Sequence, residues 1–265
     1  MKGSSEREAA LSGEGTGRGP VEHLGPALEL FLAVEDTTCE SCLLVNGALA
    51  SGEAGDLDKA LALLDEAMAK STREGNRKTH ALARLNLGCF LLERGEAARA
   101  CEHLEAVART GRQLGMRLLE GVALGEQGRA LLVRGRPELA QFVLMEAIGM
   151  LERVSRWHTL RFSAHLAAAQ AALGNVLAAR EGLAALESSA ELRADPSLRG
   201  LTSMLRASVE AAVARTGVPG SREAEVALEA ARRRLARARS ALPAEASSDL
   251  RVSLRLLEQT VMARG

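Results

Sequence analysis

Glycine recurs in this chain at positions 55, 95, 135 and 174, and each time it opens a run of Leu and Ala at helical spacing. The runs are GDLDKALALLDEA, GEAARACEHLEAV, GRPELAQFVLMEA and GNVLAAREGLAAL. Separations of 40, 40 and 39 residues mark a stacked repeat, because a unit of that size cannot bury its apolar face alone. Gly217 continues the series more loosely.

Each unit also carries a ladder of small residues. Five positions after the glycines stand Ala60, Ala100, Ala140 and Ala179, and four further on Leu64, Leu104, Leu144 and Leu183. Seven positions before the glycines stand Ala48, Gly88, Gly128 and Ala167. Small residues let two helices approach, and large ones fill the groove a turn later. The pattern predicts a first helix with a small residue near its middle, a tight turn at Gly, and a second helix. The two small positions are expected to face each other across an antiparallel helical hairpin. No strand pattern interrupts the segment from Thr38 to Leu242.

The ends read differently. Residues 1–20 are rich in Gly, Ser and charge and predict a disordered tail. PALELFLAVED, from Pro26, predicts a helix within 21–36, with Leu28, Phe31 and Leu32 on its apolar face. Thr37-Thr38-Cys39-Glu40 fits a capping box, so the repeats are expected over 37–242. Residues 243–265 predict a last helix with Leu250, Leu254, Leu257 and Val261 on one face and Arg251, Arg255 and Glu258 on another. It is expected to cap the open apolar side of the last repeat.

NLGCFLLERGEAARACEHLEAV, residues 86–107, resembles a tetratricopeptide repeat: Leu87-Gly88 in the first helix, Gly95 at the turn, Ala100 and Leu104 in the second. The third unit matches at Gly128, Gly135, Ala140, Leu144 and Ala147, and the first at Ala60, Leu64 and Ala67. The resemblance covers residues 38–190 well and 197–241 poorly. The family's usual Trp position holds Leu44, Arg84, Leu124 and Ser163, and its Tyr position Ser51, Leu91, Leu131 and Gln170. The period exceeds the family's typical value of about 34 and is similar to that of long repeats in bacterial regulatory proteins. The resemblance implies an all-α, right-handed solenoid of antiparallel hairpins, with the first helix of each pair lining a concave groove. It implies a non-enzymatic scaffold or sensor that binds a protein or peptide there. The alternative is the effector-sensing part of a signalling or transcriptional regulator whose ATPase, kinase or DNA-binding domain is absent from this chain. The ligand could then be a small molecule.

Residues about 40 apart on the first helices should stack along that groove. One such ladder is polar throughout: Asn46, Asn86, Glu126 and His165. A turn to one side lie Leu49, Cys89, Arg129 and Ala168, and a turn to the other Cys42, Leu82, Val122 and Arg161. The expected partner-binding groove therefore consists of Asn46, Asn86, Cys89, Glu126, Arg129, Arg161 and His165. Its basic end suits an acidic group on a partner. The competing reading is a solvated helix face.

Other signals point away from chemistry. Lys+Arg and Asp+Glu are equal at 34 each, so no whole-molecule field steers nucleic acid or an anionic membrane to the chain. Aromatic residues make up only 2%, too few for base-stacking platforms. The arginine run ARRRLARAR, 231–239, has Glu225 and Glu229 at helical distance and reads as a salt-bridged face. Cys39-Glu40-Ser41-Cys42 has metal-ligand spacing, but no second pair of ligands follows, even with His80 as a third candidate. A redox CxxC is expected after a strand, so the two cysteines read as small apolar residues. The five histidines are scattered, no phosphate loop or kinase motif set is present, and Trp157 reads as a packing residue. No enzyme activity, metal or cofactor is expected. With no signal-peptide pattern and no long apolar run, the chain is expected in the cytoplasm.

Overall fold

The computed structural model describes residues 39–216, 221–241, 251–255 and 258, and all secondary structure among them is α-helical. The expected tail 1–20, the expected helix 21–36 and Gly217 lie outside the described residues. In chain order the helices are α1 (Glu40–Glu53), α2 (Leu57–Arg73), α3 (Arg77–Arg94), α4 (Ala97–Leu114), α5 (Arg117–Val133) and α6 (Pro137–Leu151). They continue as α7 (Arg156–Ala172), α8 (Val176–Glu187), the short α9 (Ala190–Ala194), α10 (Pro196–Thr216) and α11 (Arg222–Ala241). Residues 251–255 form a further helical segment. Among the described residues no helix is long and apolar enough to cross a membrane.

The turns follow from backbone chemistry. Gly55, Gly95, Gly135 and Gly174 all have positive φ, between 68° and 96°, a region that only glycine enters without strain. Gly75 and Gly115, at φ 69° and 68°, do the same between one pair and the next. Asp56 and Asn76 then cap α2 and α3 by accepting from the backbone N–H of Lys59 and Thr79. At α1 the expected capping box is replaced by a sulfur cap. Cys39 is the N-cap residue, its Sγ accepts from the Cys42 N–H at 3.3 Å, and Glu40 is already helical. The Glu40 carboxylate pairs with Lys70 of α2 instead of turning back to the cap.

Packing runs in two rows. The pairs are α1/α2, α3/α4, α5/α6, α7/α8 and α10/α11, and each helix packs on the next through α8. The first helices also touch one another in sequence, α1 to α3, α3 to α5, α5 to α7 and α7 to α10. Successive second helices meet at most marginally. Second helices therefore bury only a stripe, such as Ala60, Leu64 and Ala67 on α2 or Ala140, Leu144, Ala147 and Leu151 on α6. The first helices of the inner pairs are more enclosed; α5 is buried almost without a break from Leu119 to Leu132.

Glycine notches set the spacing within and between pairs. A Cβ on Gly88 would stand 2.8 Å from Leu104 Cγ, and one on Gly128 would stand 2.5 Å from Leu144 Cγ. The second-helix leucine, one turn beyond the alanine of the ladder, fills the first-helix notch. Between first helices the same device uses aromatic rings: Phe90 lies against Gly52, and Phe162 against Gly125.

The row also bends. Leu254 of the C-terminal segment packs on Ala207, Ala211, Ala231 and Leu235 of the last pair. Arg255 of the same segment reaches the end of α3, its guanidinium donating to Leu92 O at 3.0 Å and Glu93 O at 2.7 Å. Residues 251–255 of a helix span only about 6 Å, so the second and last pairs approach to within a few side chains of this segment. The segment was expected to cap the last repeat; besides its contact there it has this second attachment.

A single methyl group tests the notch. Gly149, exposed on α6 with nothing within 4 Å of a built Cβ, offers the control. Gly149→Ala should raise stability by about 0.5–1 kcal/mol through helix propensity. Gly128→Ala should lower it by about 1–3 kcal/mol through overpacking against Leu144. Urea-unfolding midpoints of the two variants should move in opposite directions.

Candidate functional site

The polar ladder stands on the first-helix row, but its members differ in exposure. Asn46 on α1 is exposed. Asn86 on α3 is 2% exposed, and its Nδ2 donates to Leu82 O, one turn back, at 3.1 Å. Cys89 is half-buried and packs against the apolar core. Glu126, Arg129, Arg161 and His165 are all buried, none more than 4% exposed. The structure brings these four together and leaves Asn46 and Asn86 apart from them.

Glu126 holds the cluster. Its carboxylate pairs with Arg129, three residues on along α5, and Oε1 lies 2.5 Å from the Arg161 guanidinium of α7. His165 Nδ1 lies 2.9 Å from Arg161 O. The Arg161 guanidinium also stacks 4.8 Å from the Phe162 ring centroid and 5.5 Å from that of Trp157. Trp157 Nε1 in turn donates to Asp195 Oδ2 at 2.7 Å, fixing α7 to the start of α10. This is an internal ionic seam between α5 and α7. Neither the solvated face nor the open basic groove of the sequence expectation describes it, because the arginine charges are turned onto a carboxylate inside the protein.

A second polar feature lies at the other end of the row, and the repeat pattern did not single it out. Glu93, near the end of α3, is 5% exposed and pairs with Arg251 of the C-terminal segment. Arg255, one turn later, covers the α3 terminus through the two carbonyl contacts to Leu92 and Glu93. Helix C-termini carry unsatisfied carbonyls and partial negative charge, so a guanidinium is the natural partner. The signal was present as an Arg pair four residues apart. Its target lay more than 150 residues away and carried no local mark.

A cavity of about 500 Å³ opens among α8, α9, α10 and α11. Its lining includes Glu187, Arg193, Arg199, Thr202, Arg206 and Arg234. Arg206 is held to Glu187 by contacts of 2.8 and 2.6 Å. The Thr202 side chain is 2% exposed, and its hydroxyl has no hydrogen-bond partner among the described residues. In the run at 231–239, Ala231 and Leu235 are buried while Arg232, Arg233 and Arg234 are exposed.

Among the described residues no group of three or more His, Cys, Asp or Glu could hold a metal ion. His80 turns to α2, where Nδ1 lies 3.1 Å from Thr72 Oγ1 and 3.2 Å from Met68 O. Compared with known proteins, the chain matches no family model and no curated sequence.

The seam has a stability signature. Glu126→Gln leaves two buried guanidinium groups without their shared carboxylate, and breaking such a pair costs about 3–5 kcal/mol. The urea midpoint should fall accordingly, and charge reversal at Arg129 or Arg161 should reduce folding itself. An unchanged midpoint for Glu126→Gln would mean that the seam is solvated.

Proposed function

We propose that the chain is a non-enzymatic scaffold of the tetratricopeptide type, a right-handed solenoid of antiparallel pairs whose concave face binds a helical segment of a protein partner. The observation that carries this reading is the seating of residues 251–255 across the first-helix row. A short helix supplies Arg at two positions four apart. The first meets the Glu93 carboxylate, the second meets the carbonyl end of α3, and Val252 between them is buried in the main core. A groove that can order one arginine-bearing helix has the shape and charge to take another. The partner chemistry is then basic at the α3 end, opposite to the acidic group that Arg129 and Arg161 suggested in the sequence.

The test uses the chain's own segment as probe. A labelled peptide of residues 243–265 should bind saturably to a chain ending at residue 242 whose helicity is intact. Glu93→Gln should weaken that binding at least tenfold, and a peptide carrying Arg251→Glu and Arg255→Glu should not bind. Absence of binding by the native peptide would remove the reading.

A second reading, effector sensing, is favoured by the arginine-lined cavity between α8 and α11. Arg forks suit phosphate oxygens, and the buried Thr202 hydroxyl adds a donor. A phosphate monoester should then raise the melting temperature by several degrees at a concentration near 100 times its Kd. Sodium chloride at equal ionic strength should not, and Arg199→Glu should abolish the shift.

A further inference from the structure

At the N-terminus of α1 two thiols meet. Cys42 Sγ lies 2.7 Å from Cys39 Sγ, not far beyond the ~2.05 Å of a formed disulfide. The two differ in access: Cys39, the N-cap of α1, is half-buried, whereas Cys42 is 2% exposed. Neither sulfur is in a disulfide. Around Cys39 Sγ stand Ser41 Oγ at 3.0 Å, the Cys42 N–H at 3.3 Å and Asn76 Nδ2 at 3.8 Å, with Glu74 Oε2 at 3.7 Å. Cys42 Sγ also lies 3.4 Å from Thr79 Oγ1 of α3.

We propose that Cys39 and Cys42 form a thiol–disulfide exchange site whose substrate is a low-molecular-weight disulfide. Cys39 is the attacking sulfur because it alone of the pair has access to solvent. Cys42 is the resolving sulfur because it already touches Cys39 from inside. The α1 N-terminus supplies the setting: the Cys42 backbone N–H points at the cap sulfur, and no preceding strand is needed for that. Burial works against the Cys39 thiolate, but the hydrogen bonds from Cys42 and Ser41 outweigh it and hold the thiol below its ordinary value, with Glu74 opposing. Cys101 provides the contrast, since burial pushes its thiol up.

The reaction balances in two exchanges. Cys39, its proton released to solvent, attacks one sulfur of the external disulfide; a Cys39 mixed disulfide forms and the other half leaves as thiolate. The Cys42 sulfur, its proton passing to that thiolate, then attacks Cys39 Sγ. The Cys39–Cys42 bond forms, the mixed disulfide breaks, and the second half leaves as thiolate and takes a proton from solvent. Two protein thiols are oxidised and one external disulfide is reduced to two thiols. The product bridge closes on the first turn of α1, beside the contacts to Glu74 and Thr79 that dock this end of the row onto the second pair.

Oxidised glutathione is the probe. The native full chain should lose two hydrogen masses and regain them with dithiothreitol, with peptide mapping placing the bridge between positions 39 and 42. Cys42→Ser should trap one glutathione per chain on Cys39, and Cys39→Ser should trap none at position 42. At neutral pH Cys39 should react with iodoacetamide at least tenfold faster than Cys89 or Cys101. Circular dichroism of both variants establishes that they are folded. Label spread evenly over the thiols, or a folded Cys42→Ser chain that takes up no glutathione, would overturn the proposal.

Discussion

The architecture depends on small residues at the middle of the first helices, reduced to glycine in α3 and α5. Gly88 and Gly128 leave room for Leu104 and Leu144, and a Cβ at either position would collide with the leucine. That contact sets the distance between the two helices of a pair. Gly52 and Gly125 do the same for successive pairs, receiving Phe90 and Phe162. Helices brought this close bury Ala and Leu without large aromatics, which is how a chain with 2% aromatic residues still builds a continuous core. Two of the few aromatic rings, Phe90 and Phe162, are seated on glycines where one first helix meets the next.

Much of this was legible because it is local. A glycine with positive φ ends a helix whatever surrounds it, and the Ala/Leu spacing shows which stripe of a second helix is buried. First helices are harder to read. Each from α3 to α7 is covered by its own second helix, the preceding second helix and its first-helix neighbours, so their burial has no single face and no clear period. The ladder position of Glu126, Arg129, Arg161 and His165 could be read, but not its orientation relative to solvent. What decides it is charge compensation between α5 and α7, residues 35 apart. Such a pairing has no signature in a single stretch of sequence. The α1 cap was hidden for a smaller reason: two threonines just ahead of Cys39 offered a conventional hydroxyl, and the thiol took the role.

The two polar systems of the row serve different ends. The Glu126 seam is enclosed, its charges meet within the protein, and it fixes how α5 sits on α7. The Glu93 site is formed by a helix end and a carboxylate that receive two arginines from a segment far along the chain. An internal charge pair specifies a packing; a helix terminus that needs a cation specifies a partner. That distinction moves the reading of recognition away from the residues with the most conspicuous ladder and towards the end of α3.

The Arg255 contacts also change how the stack holds together. In a simple repeat array each unit feels only its neighbours, and an end can fray without consequence for the middle. Here residues 162 and 163 positions apart are joined, so the second pair and the last pair share one attachment. The intervening pairs are enclosed by that link, and loss of either end exposes surface on both. The α1 thiol site lies outside the loop so formed, on the pair that precedes it. Chemistry at Cys39 therefore acts where α1 meets the turn after α2 and the start of α3.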